Sequence, residues 1–267
     1  MKNIKMILCD LDGTLLNSSK TVSKENIEAI QYARSKGILF GIATGRSLHG
    51  VKKLIKDWQI ADYCDFLIGF NGAHLIDFNL NIDQTYHLLD STYAKKIAEH
   101  FKDIDCNVIV YDDQYLYATK DDEIAHGIAK GNYFTYRHLD VDSFFSKKDY
   151  MKLIIACKNE VMPQVISHAA LYQDQHFRSF QSTPNLYEYV NPKVSKTYGI
   201  NEVCKLHGFT LDQVMVFGDA SNDIEMLSDC GIGVCMENGD TCAKEVADYI
   251  TSSNDENGVA KFILENI

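Results

Sequence analysis

Short, almost unbroken apolar runs alternate along the chain with longer segments whose apolar residues recur at helical spacing. Residues 4–9 are the first such run, of the kind that fills a strand covered on both faces. "SKENIEAIQYARSKG" then predicts a helix: Ser23 caps its start, Ile27, Ile30 and Ala33 form its stripe, Arg34 and Lys36 lie near its end, and Gly37 stops it. "ILFGIAT" predicts a second strand ending at Thr44. A helix from about Leu48 to Trp58 leads to a third run, "DFLIGF", which ends at Asn71-Gly72. Such regular alternation predicts a parallel α/β sheet.

After about Thr85 the pattern changes. "NVIVYDDQYLYAT" predicts a hairpin turning at Asp112-Asp113, and "YMKLIIACK" and "LYEYV" add two strands around the helix of "NEVMPQVISHAALYQ". This stretch is α+β and rich in tyrosine. Beyond Lys196 the alternation resumes with "DQVMVFGD", the helix of "NDIEMLSDC", "GIGVCM", a helix from about Asp240 to Ala247 and a closing helix "GVAKFILENI". The arrangement this predicts is one α/β core domain, residues 1–84 and 189–267, interrupted by an inserted α+β domain at 85–188.

Composition narrows the function classes. A chain of 267 residues, 46% of them hydrophobic, can fill a sizeable core. The formal net charge of -11 argues against a broad nucleic-acid footprint, which needs a basic face to neutralise phosphates. The apolar run after the first lysines is too short for a signal peptide or a membrane span, so a cytoplasmic protein with no membrane partner is expected. Eight cysteines show no Cys-x-x-Cys spacing and the nine histidines no His-x-x-x-His pair, so reduced, mostly buried thiols and ordinary imidazoles are expected.

Chemistry concentrates at the strand ends. In an open parallel sheet, ligands bind outside the carboxyl ends of the strands. Those ends carry Asp10 and Asp12, Thr44 and Gly45, Asn71 and Gly72, and, from "VFGDASND", Asp219, Asn222 and Asp223. If the strands of the two acidic clusters are neighbours, their carboxylates meet and raise one another's pKa values. A divalent cation removes that conflict, and hard oxygen ligands suit Mg²⁺.

"DLDGT" (10–14), "ATGR" (43–46), Lys196 and "GDASND" (218–223) resemble, in order, the four motifs of the haloacid dehalogenase superfamily. "NGA" at 71–73, "NDIEML" with "GIGVCM", and "NGVA" at 257–260 are similar to its Cof-type, class IIB phosphatases. The resemblance implies a Rossmann-like core with an α+β cap inserted in it. It also implies a Mg²⁺-dependent phosphatase that hydrolyses small phosphorylated metabolites, sugar phosphates or related monoesters, through an aspartyl phosphate. Asp10 would be the nucleophile and Asp12 the general acid and base. Asp10, Asp219 and the backbone carbonyl of Asp12 would hold the metal, and Thr44, Gly45, Lys196 and Asn222 the phosphate. Asp223 would orient Lys196, with metal ligation as its other possible role. Asn71 and Arg46 are candidate substrate contacts. A glycine usual after the motif lysine is replaced here by Thr197.

Each residue also has a plainer reading. Asp12-Gly13 and Asn71-Gly72 are common turns, Thr44 can cap the helix after it, Arg46 can be an exposed arginine at a helix start, and Lys193 competes with Lys196. Two functional alternatives remain open: a phosphosugar mutase using the same aspartate pair, and a non-catalytic phospholigand-binding module on the same fold.

Overall fold

A computed structural model describes residues 3–145 and 148–267. The first apolar run forms β1 (Met6–Cys9), buried at every residue. α1 (Lys24–Ser35) begins where the Ser23 side chain accepts the Asn26 amide, and the chain leaves it through Gly37 at φ 80°. β2 (Leu39–Ala43), α2 (Leu48–Asp57), β3 (Phe66–Gly69), β4 (His74–Asp77) and β5 (Ile82–Thr85) follow. The middle of the chain forms α3 (Ser91–His100), β6 (Asn107–Asp112), β7 (Tyr115–Ala118), α4 (Glu123–Gly131), β8 (Thr135–His138), α5 (Val141–Phe144), β9 (Leu153–Ala156), α6 (Met162–Ala169), β10 (Arg178–Thr183) and β11 (Leu186–Val190). The last part forms α7 (Lys196–His207), β12 (Val214–Gly218), α8 (Ile224–Asp229), β13 (Ile232–Met236), α9 (Thr241–Val246), β14 (Tyr249–Thr251) and α10 (Gly258–Asn266).

The chain separates into two compact units, Met1–Gln84 with Ser195–Ile267, and Thr85–Val194. The boundary expected between residues 188 and 189 is therefore displaced. It would cut β11, whose residues pair with β9 and β10 inside the second unit.

In the first unit eight strands run in the order β14-β13-β12-β1-β2-β3-β4-β5. β1 lies between β2 and β12, parallel to both, with Cys9 opposite Ile42 and Phe217. The first and last thirds of the chain thus end adjacent strands on the same edge. The sheet is parallel from β14 to β3, but β4 returns antiparallel to β3, Phe66 opposite Asp77. One face packs Ile7, Phe40, Ile42, Leu67 and Phe217 against α1, α2 and α10. Residues of alternate parity, such as Leu8, Ile68 and Val216, are buried on the other face, where α7 and α8 lie. Two covered faces explain why these strands read as continuous apolar runs rather than alternating ones.

In the second unit six strands run β10-β11-β9-β6-β7-β8. Leu153, Ile155, Tyr187 and Tyr189 face a core closed by α3 and α6, while Ile109, Ile154 and Ala156 face one closed by α4. The hairpin between β6 and β7 turns at Asp113-Gln114, one residue later than expected, because Asp113 takes the left-handed φ of 53°. Among the described residues no helix is long and apolar enough to cross a membrane.

Candidate active site

Asp10 is the first residue after β1, and its amide still donates to the Phe217 carbonyl of β12 at 2.9 Å. That bond sets Asp10 beside the loop after β12, which carries Asp219, Asn222 and Asp223. Lys196, the first residue of α7, is 1% exposed. Its Nζ donates to Asp10 Oδ1 at 2.5 Å and to Asp223 Oδ1 at 2.6 Å. The other Asp223 oxygen accepts the amides of Asp219 (3.0 Å) and Ala220 (3.1 Å). Asp223 is thereby spent on the lysine and its own loop. Asp219 Oδ1 accepts the Thr14 hydroxyl at 2.6 Å.

Single carboxylate oxygens of Asp10, Asp219 and Asp223 lie within 4.8 Å of one another. Three acids share one ammonium, so the electrostatics are strained toward neutrality. Burial, opposed by Lys196 and reinforced by Asp223 and Asp219, pushes the Asp10 carboxyl up to about 8. Asp219 is pushed up to about 6, by burial first, against the Thr14 hydrogen bond and with the Asp223 charge adding to it. Burial works against the Lys196 ammonium, yet Asp10 and Asp223 together hold its pKa above the usual lysine value. This donor set of clustered, destabilised carboxylate oxygens fits a hard divalent cation.

Asp12 stands apart from that cluster. Arg46 grips it bidentately, Nε to Oδ2 at 2.6 Å and Nη2 to Oδ1 at 2.7 Å, and Lys20 Nζ adds a bond at 2.9 Å. Burial acts to raise the Asp12 pKa, but Arg46 and Lys20 outweigh it and hold the carboxyl below its ordinary value. Gly13, between the aspartates and Thr14, has φ 86°, and a Cβ there would run into the Asp219 carboxylate. Glycine is needed on both counts.

The remaining residues sit on the same edge of the sheet. Thr44 is 2% exposed and accepts the Arg46 amide on its hydroxyl at 3.2 Å. It does not cap α2; Ser47 does, by accepting the His49 amide. Nor is Arg46 a solvated side chain at the helix start, since its guanidinium is spent on Asp12. Asn71, 3% exposed at φ 55°, donates its amide to the Thr44 carbonyl at 3.0 Å and accepts Asn222 Nδ2 on its side chain at 3.1 Å. Gly45 packs against that same side chain. Lys193 is exposed and holds no carboxylate of this group. The structure therefore gathers Asp10, Lys196, Asp219 and Asp223 in one cluster, Thr44, Gly45, Asn71 and Asn222 in a second along the same edge, and Asp12 with Arg46 in a third.

Two contributors, Thr14 and Lys20, have no role in the sequence reading, and a third, Gly72, is read there only as a strand end or turn. Thr14 lies inside the quoted "DLDGT" and could have been weighed for its hydroxyl. Lys20 sits in a local turn in which Asn17 Oδ1 accepts the Ser19 and Thr21 amides, and its carbonyl also accepts Trp58 Nε1 at 3.0 Å, 38 residues away; nothing in the turn itself points the side chain to Asp12. Gly72 places α7: its φ is 108°, and a Cβ would strike the Ser195 carbonyl just before Lys196.

Comparison with known proteins agrees with this geometry. The family model of haloacid dehalogenase-like hydrolases matches residues 7–263. A Bacillus subtilis relative, the 5-amino-6-(5-phospho-D-ribitylamino)uracil phosphatase YcsE, is 30% identical over 98% of this chain and 95% of its own. The crystal structure of a haloacid dehalogenase-like hydrolase from Bacteroides thetaiotaomicron, 26% identical, superposes with a TM-score of 0.87 over 99% of this chain and 100% of that one. The subclass IIB sugar phosphatase BT4131, 23% identical, shares the fold with a TM-score of 0.83 over 98% of both chains. The chain belongs to the haloacid dehalogenase-like hydrolases and, within that superfamily, to the Cof-type phosphatases.

Proposed function

We propose that the protein is a Mg²⁺-dependent phosphatase that hydrolyses small phosphorylated metabolites through an aspartyl phosphate on Asp10. The observation that carries this reading is Lys196, buried and bridging Asp10 and Asp223 at the carboxyl ends of adjacent strands. A carboxylate attacking a phosphate dianion is repelled, and a fixed cation beside it lowers that barrier.

Asp10 attacks phosphorus, and the phosphate oxygens take hydrogen bonds from Thr44, Gly45, Lys196 and Asn222. The side chains of Asp10 and Asp219 and the backbone carbonyl of Asp12 would hold Mg²⁺, which when bound supplies positive charge to the phosphoryl oxygens. Asp223 keeps Lys196 aimed at Asp10. Asp12 gives a proton to the leaving oxygen and then takes one from the water that hydrolyses the aspartyl phosphate. Its depressed pKa suits the second step, in which it works as a base.

The B. subtilis relative is named for a substrate with a pyrimidine ring and a phosphorylated ribityl chain. That name supports small phosphomonoesters of this size as the first compounds to try. The test is phosphate release from an aryl phosphate and a panel including that ribitylaminouracil phosphate and sugar phosphates, with Mg²⁺ or with EDTA. Release that needs the metal and disappears in Asp10→Asn supports the reading. Interconversion of phosphosugars without release would replace it with a mutase, and tight binding without turnover with a binding module.

A further inference from the structure

A cavity of about 410 Å³ opens on the first unit, away from the catalytic carboxylates. Asp10 follows the carboxyl end of β1. The cavity is framed instead by Cys64 and Asp65, which precede β3, and by Phe78 and Asn79, which follow β4. Asp77 of β4 lies opposite Phe66 at the start of β3, so both pairs mark the amino end of the parallel strands. The last two turns of α2 close the third side with Lys52, Ile55 and Lys56. The volume is within the range of small-molecule sites.

Its polar groups are mostly donors with capacity to spare. Asp65, 3% exposed, is saturated: it takes Arg34 and the Phe40 amide (2.8 Å) on one oxygen and Asn79 Nδ2 (2.9 Å) on the other. Arg34 spends only Nη1, on Asp65 and the Tyr63 carbonyl at 3.1 Å, which leaves Nε and Nη2 without a protein partner among the described residues. Lys56 makes no ion pair among the described residues. Lys52 meets Asp83 at 3.4 Å, with both side chains about half exposed, a pairing of little strength. On the rim, Asp62 is the one other lining carboxylate. The apolar part of the lining includes Ile55, Ala61 and Phe78, the last 43% exposed.

We infer that this cavity is a second ligand site, for a small planar ring carrying a carboxylate, sulfonate or phosphate. The ring packs against Phe78, Ile55 and Ala61, and the anion takes the unspent donors of Arg34 and Lys56. The site is independent of phosphoryl transfer.

The probe is 1-naphthoate, with 1-naphthylmethanol as its uncharged counterpart, titrated calorimetrically into the full chain. Wild type and Asp10→Asn bind one equivalent of naphthoate with equal affinity. Lys56→Glu and Phe78→Ala, both at exposed positions and checked for unchanged thermal unfolding, each weaken binding about tenfold or more, and the alcohol binds wild type about tenfold more weakly than the acid. The inference is overturned by absence of saturable binding, by unchanged affinity in both surface variants, by equal affinity for the alcohol, or by loss of binding in Asp10→Asn, which would move the naphthoate to the catalytic site.

Discussion

Lys196 decides the charge balance of the site, and its importance could not be read from its neighbours in sequence. "NPKVSKTYGI" looks like an ordinary surface segment, yet the side chain is fully enclosed between two carboxylates. Asp10 and Asp219 were legible because each ends an apolar run, and strand ends in a parallel sheet are where ligands gather. Lys20 was not: the turn on Asn17 shapes its backbone, but its contacts with Asp12 and Trp58 are tertiary and no local pattern encodes them. Replacing Lys196 by methionine would leave Asp10, Asp219 and Asp223 facing one another without a counter-charge. Breaking a buried pair from one side costs about 3 to 5 kcal/mol. Urea unfolding of Lys196→Met without metal should show a loss of that size near neutral pH and a smaller one under acid conditions, where the carboxyls are protonated. A loss below about 1 kcal/mol would mean that the lysine is not the counter-ion described here.

Among the elements, the core strands were the most legible because burial on both faces leaves an uninterrupted apolar run. β14 passed unnoticed: it has three residues, Tyr249–Thr251, at the edge of the sheet, and two of them are exposed. In the second unit α3 and α4 also escaped, since their buried faces rest largely on alanine, Ala94 and Ala98 in one and Ala125 and Ala129 in the other. α2 starts at Leu48, where the sequence places it, but the alternative that Thr44 caps it fails: Ser47 is the cap, and the Thr44 amide is already committed to the Ile68 carbonyl as the strand continues. α7 is positioned by a close approach. Gly72 touches the Ser195 carbonyl, and Gly199 sits against Ile68. Gly72→Ala must both adopt a positive φ and push α7 outward, at a cost of about 1 to 3 kcal/mol. Because α7 carries Lys196, phosphate release should fall along with the urea midpoint. A variant that loses stability but keeps its full rate would show that the helix start does not govern the site.

The pH response of the whole molecule follows from its crowded acids. Asp219 and Asp10 have folded pKa values of about 6 and about 8, raised above the ordinary 3.8. The native state therefore binds more protons than the unfolded chain between those limits, and stability without metal declines as pH rises through that window. A divalent cation held as proposed would bind the ionised carboxylates and reverse the loss. Mg²⁺ should raise the melting temperature more near pH 8 than near pH 5, and an equal rise at both would contradict a site built on these two acids. At this scale the sequence conveyed an α/β core with an α+β insertion. It put "LYEYV" with the insertion yet set the boundary between residues 188 and 189, inside β11, because no change of pattern before Lys196 marks where the strand ends.

The central claim is that phosphate passes through Asp10. The measurement that tests it most directly is an acid quench of enzyme mixed with a turned-over phosphomonoester and Mg²⁺, followed by mass mapping of the peptides. The account predicts a phosphoryl group on the peptide containing Asp10 in wild type, a larger fraction of it in Asp12→Ala, where water is no longer activated, and none in Asp10→Asn. Turnover in Asp10→Asn, or a phosphoryl group on any other residue, would contradict it.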